Sequence, residues 1–268
     1  MRLATGARIV WCPGCGNFGI LKAFTQAVEE LSAEVELGRF VLVSGVGCHG
    51  KIADYIALSS FHTIHGRVPP LLTGIKLANP GLIVVGFAGD GDMYNEGLVH
   101  LIHAARRNID ATLIVHNNSV YGLTTGQATA TSPRGFRGRS TPDGNPEEPL
   151  NPIALMLASG ASFVARCFAG DTAHLKQIVK RAILHRGFSF IDVLQPCVTF
   201  NNTWKLYKEK VRPIERPPES REEAIKLACS ADSVPTGIFY SEERETCEEQ
   251  VRIEARHASV KALIEKLK

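Results

Sequence analysis

The chain has 268 residues, 44% of them hydrophobic and 21% charged, which is enough apolar material for one large packed domain. A formal charge of +3 is too slight to argue for nucleic acid, and no apolar run approaches 18 residues, so no membrane-spanning helix is expected. The 7 cysteines are an odd number, no disulfide framework is expected in a domain of this size, and Met1 to Val10 carries no signal-peptide core; the chain reads as cytoplasmic.

In chain order, Trp11-Cys12-Pro13-Gly14-Cys15-Gly16 precedes a helix-like run, Phe18 to Leu31. An apolar strand, Phe40 to Val46, closes at Cys48. A second, Leu82 to Ala88, runs into Gly89-Asp90-Gly91-Asp92 and a helix-like segment, Glu96 to Arg107. A third, 111–116, ends at Asn117-Asn118, and two more follow at 162–168 and 188–194, the last leading to Cys197. This alternation predicts an α/β fold, a parallel sheet with helices on both faces. Ligands then belong at the carboxyl ends of the strands, where Cys48, Asp90, Asn118 and Cys197 all fall.

Between the strands, Thr124 to Pro152 is long, aperiodic and rich in Gly, Pro, Thr and Arg, and is expected to be a partner-facing loop near the site. With a single aromatic, Phe136, among Arg134, Arg137 and Arg139, it does not read as a nucleic-acid patch. Beyond Asn201 the chain turns charged and proline-rich, with helices expected over Glu219 to Cys229 and Glu242 to Lys268. The chain is accordingly divided into residues 1–203, carrying the site, and a mostly helical extension, 204–268, expected to contact a partner.

Asp90 and Asn118 present one carboxylate and one amide oxygen at the ends of two strands, a donor pair that suits Mg²⁺ beside a phosphate. The glycines admit backbone N–H groups close to a diphosphate, and the following helix adds its N-terminal dipole. A GDG turn followed by Asn-Asn after 25 intervening residues resembles the motif of thiamine diphosphate enzymes. A lone Cys-x-x-Cys leaves a redox dithiol, half a metal site or chance open. Cys12, Cys15, Cys48 and Cys197 together suit a [4Fe-4S] cluster, and beside the thiamine motif that reading is favoured. Two overlapping patterns are set aside. Gly45 to Gly50 fits G-x-G-x-x-G, but no acidic ribose ligand follows about 20 residues on. The same stretch nearly fits a P-loop, but Ile52 replaces its hydroxyl residue.

From about Val10 to Thr203 the chain resembles the β subunit of the 2-oxoacid:ferredoxin oxidoreductases. The motifs are CPGCG, GVGC, HGR (His65 to Arg67), TGIKLANP (Thr73 to Pro80), GDGD, NNSVYGLTTGQ (Asn117 to Gln127) and Pro196-Cys197. The resemblance implies thiamine diphosphate, Mg²⁺ and one [4Fe-4S] cluster. Cys12, Cys15, Cys48 and Cys197 would hold the cluster, and Asp90, Asn118 and the Val120 carbonyl the Mg²⁺. Gly47, Cys48, His49, His65, Gly91, Asp92, Gly122 and Leu123 would line the cofactor, although His49-Gly50 stands where relatives often carry Ser. It also implies oxidative decarboxylation of a 2-oxoacid to acyl-CoA and CO₂, with an α subunit supplying a catalytic carboxylate and ferredoxin taking the electrons. His65 and Lys51 are read as catalytic, Lys51 as a cation for the distal carboxylate of 2-oxoglutarate. The alternatives are a pyruvate-specific or other 2-oxoacid member, a non-redox thiamine lyase, an inactive structural or regulatory subunit, and a zinc-stabilised module.

Overall fold

A computed structural model of the protein describes residues 3–230, 232–251 and 265. Eight strands form one sheet: β1 (Phe40–Ser44), β2 (Ser59–His62), β3 (Ile83–Gly89), β4 (Ala111–Asn117), β5 (Phe163–Phe168), β6 (Phe188–Leu194), β7 (Val211–Pro213) and β8 (Val234–Ser241), in the order β2-β1-β3-β4-β6-β5-β8-β7. Every neighbouring pair is parallel except β5 with β8. The carboxyl ends of β1, β3, β4 and β6 therefore stand side by side, and the four loops that leave them share one edge of the sheet.

Strands with no polar face read as continuous apolar runs because both faces are covered. Along β3, Val85 and Phe87 belong to one core and Val84 and Ala88 to the other, as a period of two requires. The first core holds α1 (Asn17–Leu31) and α5 (Thr172–Leu184). The second holds α2 (Val68–Ala78), α3 (Leu98–Arg107), α4 (Pro152–Ala158) and α7 (Arg221–Ala228). Phe24 of α1 meets Phe87 edge-on at 5.0 Å, both fully buried. Between the GDGD turn and α3 the chain makes a π-helical turn, Gly91–Glu96, so the helix expected from Glu96 begins at Leu98.

The extension differs from the mostly helical segment expected. Between α6 (Trp204–Lys210), α7 and the four-residue α8 (Cys247–Gln250) lie β7 and β8, and β8 pairs directly with β5 inside the main sheet. Trp204 and Tyr207 pack against Phe168, and Arg221 donates to the carbonyls of Leu157 and Ala161. The tail thus completes one sheet edge. Of the helix expected over Glu242 to Lys268, residues 252–264 and 266–268 lie outside the described residues, and 242–246 precede α8 without helix. Among the described residues no helix is long and apolar enough to cross a membrane.

Helix α1 sets the position of the first cysteine motif, and Gly19 sets the position of α1: a Cβ there would collide with the carbonyl oxygen of Ala169. Gly74 in α2 is exposed and has nothing within 4 Å of its Cβ position. Gly74→Ala is expected to stabilise the protein by about 0.5–1 kcal/mol, the ordinary helix gain. Gly19→Ala is expected to destabilise it by roughly 1–3 kcal/mol through the displaced backbone. Urea midpoints for the two variants check both signs.

Candidate active site

Two adjoining cavities, of about 70 and about 90 Å³, open at the carboxyl ends of β1, β3, β4 and β6. All the candidate residues named from sequence line one or the other. Cys12, Cys15, Lys51 and Cys197 line only the second; the rest line the first, and Cys48, Asn118, Gly122 and Leu123 border both. Lys51 accordingly stands on the cysteine side, where its charge opposes the upward push that burial gives the Cys48 thiol.

The first cavity is built around two buried carboxylates. Asp90, 2% exposed, follows β3 and is pushed up to about 6 by burial, against the pull of its hydrogen bonds. Its Oδ2 accepts from Thr129 Oγ1 at 2.5 Å and Thr131 Oγ1 at 3.1 Å, and its Oδ1 from the N–H of Asn118 at 3.4 Å. Asn118 Oδ1 accepts from the Val120 N–H at 3.1 Å. A buried carboxylate with an amide oxygen beside it suits a hard cation.

Asp92 is committed to positioning. Its Oδ1 accepts from the Gly66 N–H at 2.8 Å and meets His65 Nδ1 at 3.0 Å, while Oδ2 lies 3.3 Å from His49 Nε2. Burial alone would raise this carboxyl; His49, Gly66 and His65 together hold it below its ordinary range. His49 is 6% exposed and fills space that a side chain at Gly89 would need, 2.7 Å from the Cβ position. Gly66 (φ +70°) brings the HGR loop so close to the helix start that a Cβ would lie 2.5 Å from the Glu96 backbone; a Cβ on Gly97 would lie 2.8 Å from Gly66 Cα. His116 Nδ1 pairs with Asn17 Oδ1 at 2.8 Å, and burial keeps the ring neutral. Its Nε2 and Asn17 Nδ2 are buried without hydrogen-bond partners, and His116 lines the first cavity and Asn17 the second.

Beneath the first cavity lies a polar layer not anticipated from sequence. Asp192 of β6, fully buried, accepts from Tyr94 at 2.9 Å, Asn117 Nδ2 at 3.0 Å and Arg166 Nε at 3.2 Å. Asn117 Oδ1 and Asp90 Oδ2 share the single hydroxyl proton of Thr131, so one hydrogen-bonded chain joins the floor to the site. A single acid in FIDVL and a single base in FVARCF, each inside an apolar strand, were the available signal. Thr129 and Thr131 come from the aperiodic 124–152 loop, which turns inward here and gave no such signal.

Cys12, Cys15, Cys48 and Cys197 surround the second cavity. The Cys12–Cys15 turn is pinned by Trp204 Nε1 donating to the Gly14 carbonyl at 3.0 Å, and Trp11 Nε1 donates to the Cys48 carbonyl at 2.6 Å. Burial, then the three neighbouring sulfurs, pushes the Cys15 thiol up to about 12 against a hydrogen bond from the Asn17 N–H. Such thiols ionise when a cation takes the proton's place. Among the described residues no three Cys, His, Asp or Glu side chains converge tightly enough to hold one metal ion. Cys167 is buried in the core, Cys229 is exposed, and Cys247 packs beside the second core.

The fold and the GDGD site are those of a thiamine diphosphate-binding enzyme: residues 45–193 match the family model "Thiamine pyrophosphate enzyme, C-terminal TPP binding domain". Residues 197–255 match the family model for the C-terminal part of the pyruvate ferredoxin oxidoreductase β chain. The sequence is 47% identical to the 2-oxoacid:ferredoxin oxidoreductase subunit beta of Saccharolobus solfataricus, over 93% of this chain and 87% of that one. It is 41% identical to the 2-oxoglutarate synthase subunit KorB of Methanothermobacter marburgensis, over 81% and 77%. A 2-oxoglutarate:ferredoxin oxidoreductase from Magnetococcus marinus, with 2-oxoglutarate, coenzyme A and succinyl-CoA bound, superposes at TM-score 0.90 and 34% identity, over 99% of this chain and 94% of that one. The chain belongs to the β-subunit family of the 2-oxoacid:ferredoxin oxidoreductases.

Asp192→Asn keeps the shape of the floor but leaves the Arg166 guanidinium, 8% exposed, without its counter-charge. A loss of about 3–5 kcal/mol in unfolding free energy is expected, measured by denaturant titration of the purified protein.

Proposed function

We propose that this chain, with an α subunit, catalyses the coenzyme A-dependent oxidative decarboxylation of 2-oxoglutarate to succinyl-CoA and CO₂, passing the electrons to ferredoxin. The observation that carries this reading is the shared wall. Four cysteines surround one cavity, and Cys48 and Asn118 also border the cavity that contains the GDGD carboxylates. In this reading Asp90, Asn118 and the Val120 carbonyl hold Mg²⁺, while Gly47, His49, His65, Gly91, Asp92, Gly122 and Leu123 line thiamine diphosphate. Cys12, Cys15, Cys48 and Cys197, which surround the second cavity, hold a [4Fe-4S] cluster through four thiolates. When bound, these groups supply the carbanion stabilisation and the one-electron chemistry.

The protein's own part is position and field. Asp92 orients His49 and His65, and His65 is exposed enough at the cavity mouth (41% of its side chain) to meet substrate. Both carboxylates in the first cavity are held by hydrogen bonds, and the catalytic carboxylate is assigned to the α subunit, as the family resemblance implies. Residues 204–268 are read as contacting the partner subunit, although β8 places part of them within the sheet. Low-potential cluster chemistry fits a reducing cytoplasm.

Anaerobic iron, sulfide and thiamine diphosphate analysis of the co-expressed αβ enzyme tests the cofactor set. Cys12→Ala, Cys15→Ala and Cys197→Ala are expected to lose most iron, and Cys229→Ala and Cys247→Ala to keep it. Asp90→Ala is expected to lose the diphosphate cofactor while remaining folded. Stoichiometric zinc without sulfide would refute the cluster, and full cofactor retention by Asp90→Ala would refute the Mg²⁺ site.

For the substrate, the support is the 2-oxoglutarate named for two of the relatives, together with the charge that Lys51 brings close to Cys48, a residue that borders both cavities. The expected outcome is a higher kcat/KM for 2-oxoglutarate than for pyruvate. Lys51→Ala is expected to cost 2-oxoglutarate about 10-fold or more, the worth of a charge-assisted hydrogen bond, and pyruvate little. A preference for pyruvate overturns the substrate, and equal losses remove Lys51 from its recognition.

A further inference from the structure

We propose that Gln195 is a positioning residue joining the two cofactor sites: its amide aims Asn118 at the metal end and donates a hydrogen bond to Cys15 at the cluster end. This rests on the cofactor set proposed above. Gln195 follows β6, is 1% exposed and borders both cavities. Its backbone N–H donates to the Asn117 carbonyl at 2.8 Å, fixing it against the end of β4. Its side-chain Oε1 accepts from Asn118 Nδ2 at 2.9 Å, and its Nε2 donates to Cys15 Sγ at 3.4 Å and to the Pro196 carbonyl at 2.8 Å.

The direction of each amide follows from its partners. The Val120 N–H requires an oxygen from Asn118, so Asn118 offers its nitrogen to Gln195. Gln195 must then present oxygen to Asn118, and its nitrogen turns to the Pro196 carbonyl and the sulfur. Held at both ends, the Asn118 amide keeps its second oxygen lone pair for a cation. The position of Gln195 is also sterically built. A Cβ on Gly16 would lie 3.0 Å from Gln195 Cγ, so the bare glycine after Cys15 is what admits the amide under the loop.

At the sulfur, Gln195 adds to the N–H of Asn17 already directed at Cys15. Hydrogen bonds to a cluster's thiolates favour its more negatively charged, reduced state and so raise its reduction potential. At the other end, a loosened Asn118 would hold the metal and its diphosphate less firmly.

The test uses the anaerobically purified αβ holoenzyme and two variants, Gln195→Leu and Gln195→Glu. Midpoint potentials come from a redox titration followed by electron paramagnetic resonance, alongside iron content and Mg²⁺-dependent thiamine diphosphate affinity by equilibrium dialysis. Both variants are expected to keep their iron. In Gln195→Leu the midpoint moves to more negative potential, and in Gln195→Glu, which sets an acceptor against the thiolate, it moves further the same way. Affinity for thiamine diphosphate falls about fivefold in Gln195→Leu, as loss of one buried hydrogen bond predicts. An unmoved midpoint in both variants, or unchanged affinity, overturns the coupling. Loss of iron from both makes Gln195 a structural prop and overturns it as well. A wild-type enzyme without iron refutes the cofactor set itself, whereas an iron-loaded wild type with unmoved variants refutes only the role of Gln195.

Discussion

A carboxylate with no exposure to water must be answered by donors, and Asp192 is answered by three: Tyr94, Asn117 and Arg166. Each comes from a different element, the π-turn after β3, the end of β4 and the middle of β5. That one charge therefore sets the relative heights of the strand ends on which the site stands. Burying an ion is costly unless geometry and hydrogen bonding both compensate, and here the compensation is shared with function. Asn117, fixed from below, orders Thr131, and Thr131 orders Asp90. The rigidity of the upper layer is inherited from the lower.

This layering explains what could be read in the sequence. Strands β1, β3, β4, β5 and β6 are buried along nearly their whole length, so an apolar run was a sufficient signal for each. Strand β2, Ser59–His62, is exposed at every position and sits at the sheet edge, so neither alternation nor hydrophobicity marks it. Strand β8 contains Pro235 and Gly237, residues that ordinarily argue against a strand; at Gly237 φ is +137°, a backbone conformation that glycine favours. Its assignment to the sheet depends on β5, far earlier in the chain, and no local pattern carries that.

The site divides in the same way. Residues whose chemistry is tied to a local turn, such as Asp90, Asn118 and the Cys12–Cys15 pair, were visible because the turn and the ligand share a motif. Residues that act through others were not. Thr129 and Thr131 reach back to Asp90, 39 and 41 positions earlier, from a loop without periodicity, and Gln195 hides beside the more conspicuous Pro196-Cys197. Such supporting residues hold the candidate side chains in place, yet any small polar residue in any loop would have looked the same.

The contact between Gly66 and Gly97 has an evolutionary consequence. The HGR loop and the start of α3 cross where neither backbone leaves room for a carbon atom on the other, so the two glycines occupy what is in effect a single volume. A substitution at one is not rescued by a change at the other, since neither has anything left to remove. Mutational paths that would reposition His65 from this side are closed in both orders. Variation in how the first cavity meets its substrate is thereby left to its other lining residues, among them the exposed Leu123.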